Sequence, residues 1–419
     1  MISSMRVLWI TNLLLPEMQQ HLGVSNSPFG GWISSAANII KQKDGIELAV
    51  ASISPLVHDL CYYSSENINH FAIPYGKGNL IYNPDYENYW KKIETEFSPD
   101  LVHIFGTEFT HGLAYVRACG ANKVVVSIQG LLSVIVRYYH GGLTWKEILR
   151  NTTLRDVFCH TGIWFDKITY KKRSECEIEL LQKVNYIIGR TSWDKDHSLA
   201  INPQTSYYLV NETLRNEFYS GEWRYTNCKK HSIFICSGGS PIKGLHMVIK
   251  ALPFVLEKYP DTTLRVVGND ITKKNSIIDY LKQTGYSRYV NRLINKLNLT
   301  DSISFLGTLD VNEMKNEYLL ANVFVCPSII ENSPNSLGEA QMLGVPCIAS
   351  YVGGIPDMMM GNEGNLYRYE EVEMLAAKIC AVFEKKENQI SGSNNAKLRH
   401  DGQNNAKELL LVYNDILKR

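Results

Sequence analysis

Two glutamates frame a short polar turn in the stretch ENSPNSLGE, which runs from Glu331 to Glu339. An apolar strand precedes the turn, and a helix is predicted to follow it over residues 337–343. Carboxylates placed in this way could act in catalysis, hold the hydroxyl groups of a ligand or cap the helix, whose first N–H groups lack partners. Capping would explain Glu339. It explains Glu331 less well, because Glu331 precedes the helix on a loop expected to face a ligand.

A glycine-rich stretch, CSGGSPIKG, also follows a strand and opens a helix, from Cys236 to Gly244. Glycines let the backbone approach a phosphate, a helix N-terminus attracts anions, and Lys243 adds a positive charge. The stretch is neither a Walker loop nor a dinucleotide-binding glycine motif. Taken alone, it is equally well interpreted as a tight turn with a solvated lysine.

The first half of the chain holds a similar loop and several polar candidates. Gly30 and Gly31 lie between the first strand and a helix, so both halves of the chain present a loop suited to anions. His103 and Glu108 belong to VHIFGTEFTHG, and Gln129 to SIQGLLS. Glutamine can bind a sugar hydroxyl but cannot act as a general base. A histidine that ends a buried strand is more often a core residue, so the role of His103 stays open.

These residues must be positioned by alternating strands and helices, a pattern typical of parallel sheets with crossover helices. Ten strands are predicted, over residues 6–14, 46–54, 101–106, 123–130, 185–191, 232–239, 263–270, 302–307, 323–328 and 346–350. Because the pattern restarts near residue 230, we predict two doubly wound α/β domains, over residues 1–212 and 230–395. A C-terminal helix, about residues 400–419, is expected to pack back on the first domain. The ligand site is expected between the carboxyl ends of the two sets of strands.

Composition excludes several other classes of protein. The 43 basic and 42 acidic residues give a net charge of +1, so no overall field favours nucleic acid as a partner. The nine cysteines show no paired spacing, and no cluster has zinc-ligand spacing. The pair Asp194 and Asp196 is interpreted as helix capping rather than as a metal site. The N-terminal apolar run is broken at Thr11 and Asn12 and is interpreted as a strand, so a cytoplasmic protein without a transmembrane segment is expected.

One basic and aromatic stretch, GIWFDKITYKKRSECE at residues 162–177, could contact a membrane. Such a helix could lie on an anionic surface at the inner face of the membrane and meet a lipid-linked acceptor. The favoured alternative is an ordinary amphipathic helix with its charges in water.

The stretch ENSPNSLGE resembles the Glu-x7-Glu motif of family 4 retaining glycosyltransferases of the GT-B fold, of the bacterial surface-polysaccharide type. The following AQMLGVPCIASYVGGIPDM, the glycines at 30 and 31, and the stretches PDLVHIFG, VVGND and FLG look like further parts of that family. The resemblance covers nearly the whole chain. It implies two Rossmann-like domains facing each other across a cleft, an N-terminal one for the acceptor and a C-terminal one for a nucleotide-sugar donor.

The resemblance also implies residue roles. Glu331 beside the donor sugar and Lys243 as counter-charge to the diphosphate are expected to be catalytic. The expected donor-binding residues, with Glu339 on the ribose hydroxyls, are Glu339, Asn335, Ser336, Leu337, Gly239, Ser240 and Gly268. The acceptor or phosphate loop is expected to include Gly30, Gly31, Gln129, His103 and Glu108. No metal and no cofactor are expected, since the UDP- or GDP-linked sugar is itself the substrate.

The expected reaction is transfer of a sugar with retention to a glycan or lipid-linked oligosaccharide, in capsular, exopolysaccharide or lipopolysaccharide synthesis. Two positions depart from the family pattern. Gly238 stands where an arginine is usual, with Ser240, backbone amides or Arg190 as candidate replacements, and Gln129 stands where a histidine is frequent. A nucleotide-sugar epimerase of the same fold and a non-catalytic nucleotide- or glycan-binding protein remain alternatives. A nicotinamide dehydrogenase is the least favoured, because both domains lack its glycine motif.

Overall fold

The chain forms two compact units, each built on one sheet. The computed structural model describes residues 4–25, 30–65, 67–75, 82–273, 282–385 and 394–419. Unit 1 consists of Met1–Val134, Thr169–Arg215 and Arg399–Arg419, and unit 2 of Ile135–Ile168 and Asn216–Leu398. The prediction of two doubly wound α/β domains is confirmed.

Unit 1 contains a sheet of eight strands in the order β3-β4-β2-β1-β5-β6-β7-β8, parallel except for the β3–β4 pair at one edge. The strands are β1 (Met5–Thr11), β2 (Ile46–Ser54), β3 (Cys61–Ser65), β4 (Ile68–Pro74), β5 (Leu101–Phe105), β6 (Val124–Ser127), β7 (Tyr186–Gly189) and β8 (Ser206–Leu209). The order of strands reverses between β1 and β5. This switch point is where doubly wound sheets bind ligands, at the carboxyl ends of the strands.

Helices cover both faces of this sheet. They are α1 (Pro16–His21), α2 (Gly31–Ile40), α3 (Asp85–Phe97), α4 (His111–Cys119), α5 (Leu132–Ile135), the long α8 (Ile163–Lys183), which begins in unit 2, α9 (Ser192–Ile201) and the C-terminal α17 (Gly402–Lys418). Helices α2 and α17 share one apolar core with β1. There Trp9 of β1 donates its indole N–H to the hydroxyl of Tyr413 over 2.9 Å. The C-terminal helix therefore belongs to unit 1.

Unit 2 contains a parallel sheet of six strands in the order β11-β10-β9-β12-β13-β14. The strands are β9 (Ser232–Ile235), β10 (Thr263–Val266), β11 (Ile303–Phe305), β12 (Val323–Cys326), β13 (Cys347–Ser350) and β14 (Leu366–Tyr367). The helices are α6 (Trp145–Asn151), α7 (Leu154–Phe158), α10 (Leu245–Leu256), α11 (Gly285–Lys296), α12 (Val311–Leu320), α13 (Asn335–Met342), α14 (Ile355–Met358), α15 (Val372–Glu384) and α16 (Asn394–Arg399). The switch point of this sheet lies between β9 and β12.

All ten predicted strands are present, but most end earlier than predicted. Their last predicted residues, mainly Gly, Ser and Thr, leave the sheet and begin the loops that follow. Strands β3, β4, β8 and β14 were not predicted. Within the described residues, no helix combines the length and the apolar character required to cross a lipid bilayer.

Residues 135–168 lie in unit 2, although the sequence prediction assigned them to the first domain. Their helices α6 and α7 pack on α11 of unit 2. Tyr289 of α11 donates its hydroxyl to Glu147 over 3.2 Å, and the backbone N–H of Gly285 donates to Asp156 over 2.8 Å. These contacts join positions more than a hundred residues apart, which local periodicity does not reveal.

Candidate functional site

The loops after β9 and β12 meet at the switch point of unit 2. The loop after β9 ends in the 3₁₀ turn Pro241–Lys243, followed by Gly244 with a φ of 74°. A Cβ atom at Gly244 would lie 1.8 Å from the carbonyl oxygen of Pro327, so this approach requires glycine. The N–H of Ile329 donates to the carbonyl of Ile242 over 2.8 Å. These contacts hold the two loops side by side.

Lys243 and Glu331 form an ion pair across these loops. The distance from Nζ to Oε2 is 2.5 Å, although 88 positions separate the residues in the sequence. The lysine side chain is 39% exposed and the glutamate 20%, so a ligand can reach both. The backbone of Glu331 is also held, because Gly354 donates its N–H to the Glu331 carbonyl over 3.1 Å. The structure thus brings together the two residues predicted to be catalytic.

Glu339 lies in helix α13, which begins at Asn335 rather than at the predicted residue 337. Pro334 occupies the position before the helix, and no side chain caps it. Glu339 is consequently the fifth residue of the helix, and its side chain is buried. The capping explanation of Glu339 is wrong, because the N–H groups without helical partners belong to the first turn. The hydroxyl of Tyr318 lies 3.5 Å from its Oε2.

The other predicted donor-binding residues lie at the carboxyl edge of the same sheet. Asn335 and Ser336 are half-buried in the first turn of α13, whereas the side chain of Leu337 is in the core, so only its backbone can meet a ligand. Gly239 faces open space. The loop residue Gly268 follows β10, and its N–H donates to the carbonyl of Gly307 over 2.9 Å. Ser240 is half-buried in the loop before Lys243.

Gly238 packs closely against helix α10, where the family resemblance leads one to expect an arginine. A Cβ atom at this position would lie 2.6 Å from a methyl carbon of Leu245. Arg190, one candidate replacement, belongs to unit 1, where its guanidinium pairs with Glu212 at 2.5 Å and donates to the carbonyl of Ile128 over 2.8 Å. Of the candidate replacements for the arginine, Ser240 and the backbone amides are therefore the ones that lie in the loop before Lys243.

His103 is a core residue of unit 1. Its Nδ1 lies 2.6 Å from the Tyr413 hydroxyl and its Nε2 lies 2.6 Å from the Ser127 hydroxyl. Burial lowers the pKa of His103 from 6.5 to about 3, so the ring is neutral at physiological pH. The prediction that His103 takes part in the acceptor loop is corrected on this ground, because both ring nitrogens are engaged inside the protein.

Glu108 and Gln129 lie on the loops after β5 and β6, at the switch-point edge of unit 1. The carboxylate of Glu108 lies against Gly106, where a Cβ atom would approach Oε2 to 2.3 Å. Gln129 donates its amide to Glu212 over 2.5 Å, and its oxygen lies 3.3 Å from Arg190. Burial raises the pKa of Glu108 from 4.5 to about 7, so its carboxyl is only partly ionised at neutral pH.

Two residues of α8 hold these loops, although both belong to the stretch 162–177, whose charges were expected in water or at a membrane. Arg173 and Glu177 are instead buried. The buried carboxylate of Glu177 accepts the N–H groups of Leu132 and Ser133, both over 2.9 Å, and the hydroxyl of Thr107 over 2.6 Å. Arg173, one turn earlier, donates its Nε to the carbonyl of Glu108 over 2.6 Å. Their spacing of four residues was the available signal, because it places both on one helix face.

The glycines at 30 and 31 begin α2. Gly30 has a φ of 82°, and a Cβ atom there would lie 2.6 Å from a methyl carbon of Leu13. A Cβ atom at Gly31 would lie 2.8 Å from Cγ of Arg215. The glycines therefore allow close packing at the start of the helix. Residues 27–29 of the predicted anion loop lie outside the described residues.

Asp194 lies in the first turn of α9, but the residue that caps this helix is Thr191. Its carboxylate accepts the N–H of Arg190 over 2.9 Å and the hydroxyl of Tyr207 over 2.5 Å, while the side chain of Thr191 accepts the N–H of Asp194. In the part of the chain that the structure describes, no three His, Cys, Asp or Glu side chains are grouped to hold a metal ion.

Replacing Glu108 with glutamine is expected to change the pH dependence of stability. The folded protein retains the Glu108 proton up to about pH 7, whereas an ordinary glutamate releases it near pH 4.5. The stability that this group contributes is complete below pH 4.5 and is lost as the pH rises through 7. Wild type should therefore lose thermal stability relative to Glu108→Gln over this range. A melting-temperature difference that stays constant with pH would contradict this prediction.

Comparison with known proteins identifies the second half of the chain. The family model described as glycosyl transferases group 1 matches residues 226–408. Over 342 residues the chain is 24% identical to YtcC of Bacillus subtilis, a protein named as a candidate glycosyltransferase. The alignment covers 79% of this chain and 77% of YtcC. Several further curated glycosyltransferases align over less than half of their own length.

Solved structures show the same fold along the whole chain. Sucrose-phosphate synthase from Thermosynechococcus elongatus superposes with a TM-score of 0.68 at 16% identity and covers 99% of both chains. HepE of Anabaena in complex with UDP-glucose superposes with a TM-score of 0.60 at 15% identity, covering 99% of this chain and 98% of HepE. At these identities the likeness concerns the fold. Residues 226–408 thus form a glycosyltransferase group 1 domain, within a chain that has the two-domain GT-B fold and glycosyltransferases among its homologues.

Proposed function

We propose that this protein transfers a sugar from a nucleotide diphosphate sugar to a glycan or lipid-linked oligosaccharide, with retention of the anomeric configuration and without a metal ion. The observation that carries the proposal is the accessible Lys243–Glu331 ion pair at the switch point of unit 2. A positive charge beside a helix N-terminus suits a diphosphate, and a neighbouring carboxylate suits sugar hydroxyls.

Lys243 is assigned to the leaving group. As the bond between the anomeric carbon and the phosphate oxygen breaks, negative charge develops on the diphosphate, and the ammonium group and the first N–H groups of α13 stabilise it. Glu331 holds the ammonium group in place before the donor binds. Once the diphosphate pairs with the ammonium group of Lys243, the carboxylate of Glu331 can accept a hydrogen bond from a hydroxyl of the sugar.

The remaining steps use the acceptor. Its hydroxyl oxygen bonds to the anomeric carbon on the face from which the diphosphate leaves, and its proton passes to the departing phosphate oxygen. Glu339 is assigned to the ribose hydroxyls of the donor. In unit 1, Glu108 is assigned to an acceptor hydroxyl, because a carboxyl with a pKa of about 7 can either donate or accept a hydrogen bond near neutral pH. The complex of HepE with UDP-glucose supports a nucleotide sugar as donor.

A ligand screen tests the donor assignment directly. UDP, GDP and their sugar conjugates should raise the melting temperature, since a ligand at about 100 times its dissociation constant adds about 2.7 kcal/mol to the free energy of unfolding. Uridine and guanosine, which lack the diphosphate, are the matched controls and should produce a smaller shift. Equal shifts with nucleoside and nucleoside diphosphate would contradict the assignment of Lys243 to the diphosphate.

Product analysis separates the alternatives. A transferase should consume the nucleotide sugar in proportion to added acceptor and yield an α- or β-linked product of the donor's own anomeric configuration. An epimerase would convert the donor sugar in the absence of acceptor. Donor binding without turnover across a panel of glycan and lipid-linked acceptors would instead favour a binding protein.

A further inference from the structure

Residues 145–168 of unit 2 expose apolar side chains in pairs. Each of the helices α6, α7 and α8 contributes two such residues four positions apart, which places them on one face of their helix. The three pairs are Trp145 and Leu149, Leu154 and Phe158, and Trp164 and Ile168. Leu149, Leu154 and Phe158 are between 72% and 78% exposed. Apolar side chains this exposed on three consecutive helices mark an interaction site.

These helices are firmly anchored on their other faces. Ile148 and Asn151 of α6 are buried, and Asn151 accepts a hydrogen bond from Arg292 over 2.9 Å. The rings of Trp145 and Trp164 meet edge to face with 5.2 Å between their centroids, which links α6 to the start of α8. The exposed apolar residues are therefore carried on an ordered surface. We call residues 145–168 the apolar surface.

The exposed charged residues within the apolar surface have one sign. Its three acidic residues are turned inward: Glu147 caps α6, Asp156 is buried and caps α7, and Asp166 is half-buried. The basic side chains of Lys146 and Arg150 are exposed. Solvent around these helices consequently meets apolar and positively charged groups.

We infer that the apolar surface docks on an anionic lipid bilayer, with Leu149, Leu154 and Phe158 entering the boundary between headgroups and acyl chains. Exposed basic residues attract the anionic headgroups, and the two tryptophans suit the interface because their rings are apolar and carry one polar N–H. The inference rests on the proposed function and extends it by placing the acceptor at a lipid surface. It can be tested by measuring binding to vesicles, without an assay of sugar transfer.

Vesicle sedimentation with the full chain tests the inference. The protein should bind vesicles of phosphatidylcholine mixed with phosphatidylglycerol, and should bind phosphatidylcholine vesicles far less. Leu154→Ser/Phe158→Ser should weaken binding at least about tenfold, because two side chains no longer enter the bilayer. Lys146→Gln/Arg150→Gln should weaken it and reduce its dependence on salt. The matched control is Leu398→Ser/Leu411→Ser, which removes two other exposed leucines and should bind like wild type.

Other outcomes overturn the inference. Absence of binding to anionic vesicles, or equal loss in the control variant, would refute a lipid-docking surface at these residues. A concentration-dependent dimer abolished by Leu154→Ser/Phe158→Ser would assign the surface to a second copy of the chain. The melting-temperature shift produced by UDP or GDP reports on the donor site separately. Vesicle binding without a nucleotide shift would leave the docking surface intact and refute the proposed donor.

Discussion

Replacement of Lys243 by methionine should lower the rate of sugar transfer by about 10²–10³-fold, the usual cost of removing one group that stabilises developing charge. Glu331→Gln should cause a loss of similar size. Because the ion pair is partly exposed, the free energy of unfolding should change by only about 0–1 kcal/mol in either variant. Steady-state kinetics and thermal melts on the same preparations measure both quantities.

A matched ion pair serves as the control. Lys258, two residues after the end of α10, and Glu384, the last residue of α15, also pair within unit 2. Both side chains are more than half exposed, and neither residue lies on the loops that follow β9 and β12. Lys258→Met should leave transfer unchanged. The double variant Lys243→Met/Glu331→Gln should lose little more activity than either single variant, because the two side chains act as a unit. Full activity in both single variants would refute the proposed role of the pair.

Replacement of Gly353 by alanine should destabilise the protein and disable the site together. Gly353 has a φ of 52°, and a Cβ atom there would lie 1.8 Å from the carbonyl oxygen of Glu331. The left-handed backbone costs an L-residue about 1–2 kcal/mol, and the clash adds to it because a backbone atom must move. Since the displaced backbone carries the Glu331 carboxylate, transfer should fall even at temperatures where the variant is folded.

Gly344 provides the control for backbone strain alone. Its φ is 80°, but a Cβ atom there would meet no atom within 4 Å. Gly344→Ala should therefore lose stability through its backbone conformation and retain its activity. Chemical denaturation and transfer assays compare the two variants. Equal destabilisation with equal activity would show that the contact between Gly353 and Glu331 has no functional consequence.

The residues to which the lipid-docking inference applies belong to unit 2. Glu147 of α6 and Asp156 of α7 accept hydrogen bonds from α11. The opposite faces of α6 and α7 carry the exposed apolar residues. In the sequence, only residues 162–177 carry the basic and aromatic pattern that suggests membrane contact. The exposed leucines and phenylalanine of α6 and α7 precede that stretch, and only the structure shows them exposed.

Local patterns in the sequence were sufficient for the fold class and for ten of the strands, and they singled out Lys243 and Glu331 as candidates for binding a ligand. Apolar runs of strand length, glycine turns at strand ends and the two-glutamate motif are properties of neighbouring residues, so they can be read without coordinates. The helix start at Asn335 was missed by two residues. That small error had a chemical consequence, since it moved Glu339 out of the first turn and removed capping as its explanation.

The tertiary structure alone decided which of these residues meet and which are inaccessible. It paired Lys243 with Glu331 across 88 positions and enclosed His103 between Tyr413 and Ser127. It also brought Glu177 to the loop after β6, where its carboxylate accepts the N–H of Leu132. Pairing and burial depend on contacts between distant parts of the chain, which hydrophobic periodicity does not specify. The sequence by itself therefore determined the kinds of element and the candidate chemistry, whereas packing determined which candidates remain available to a ligand.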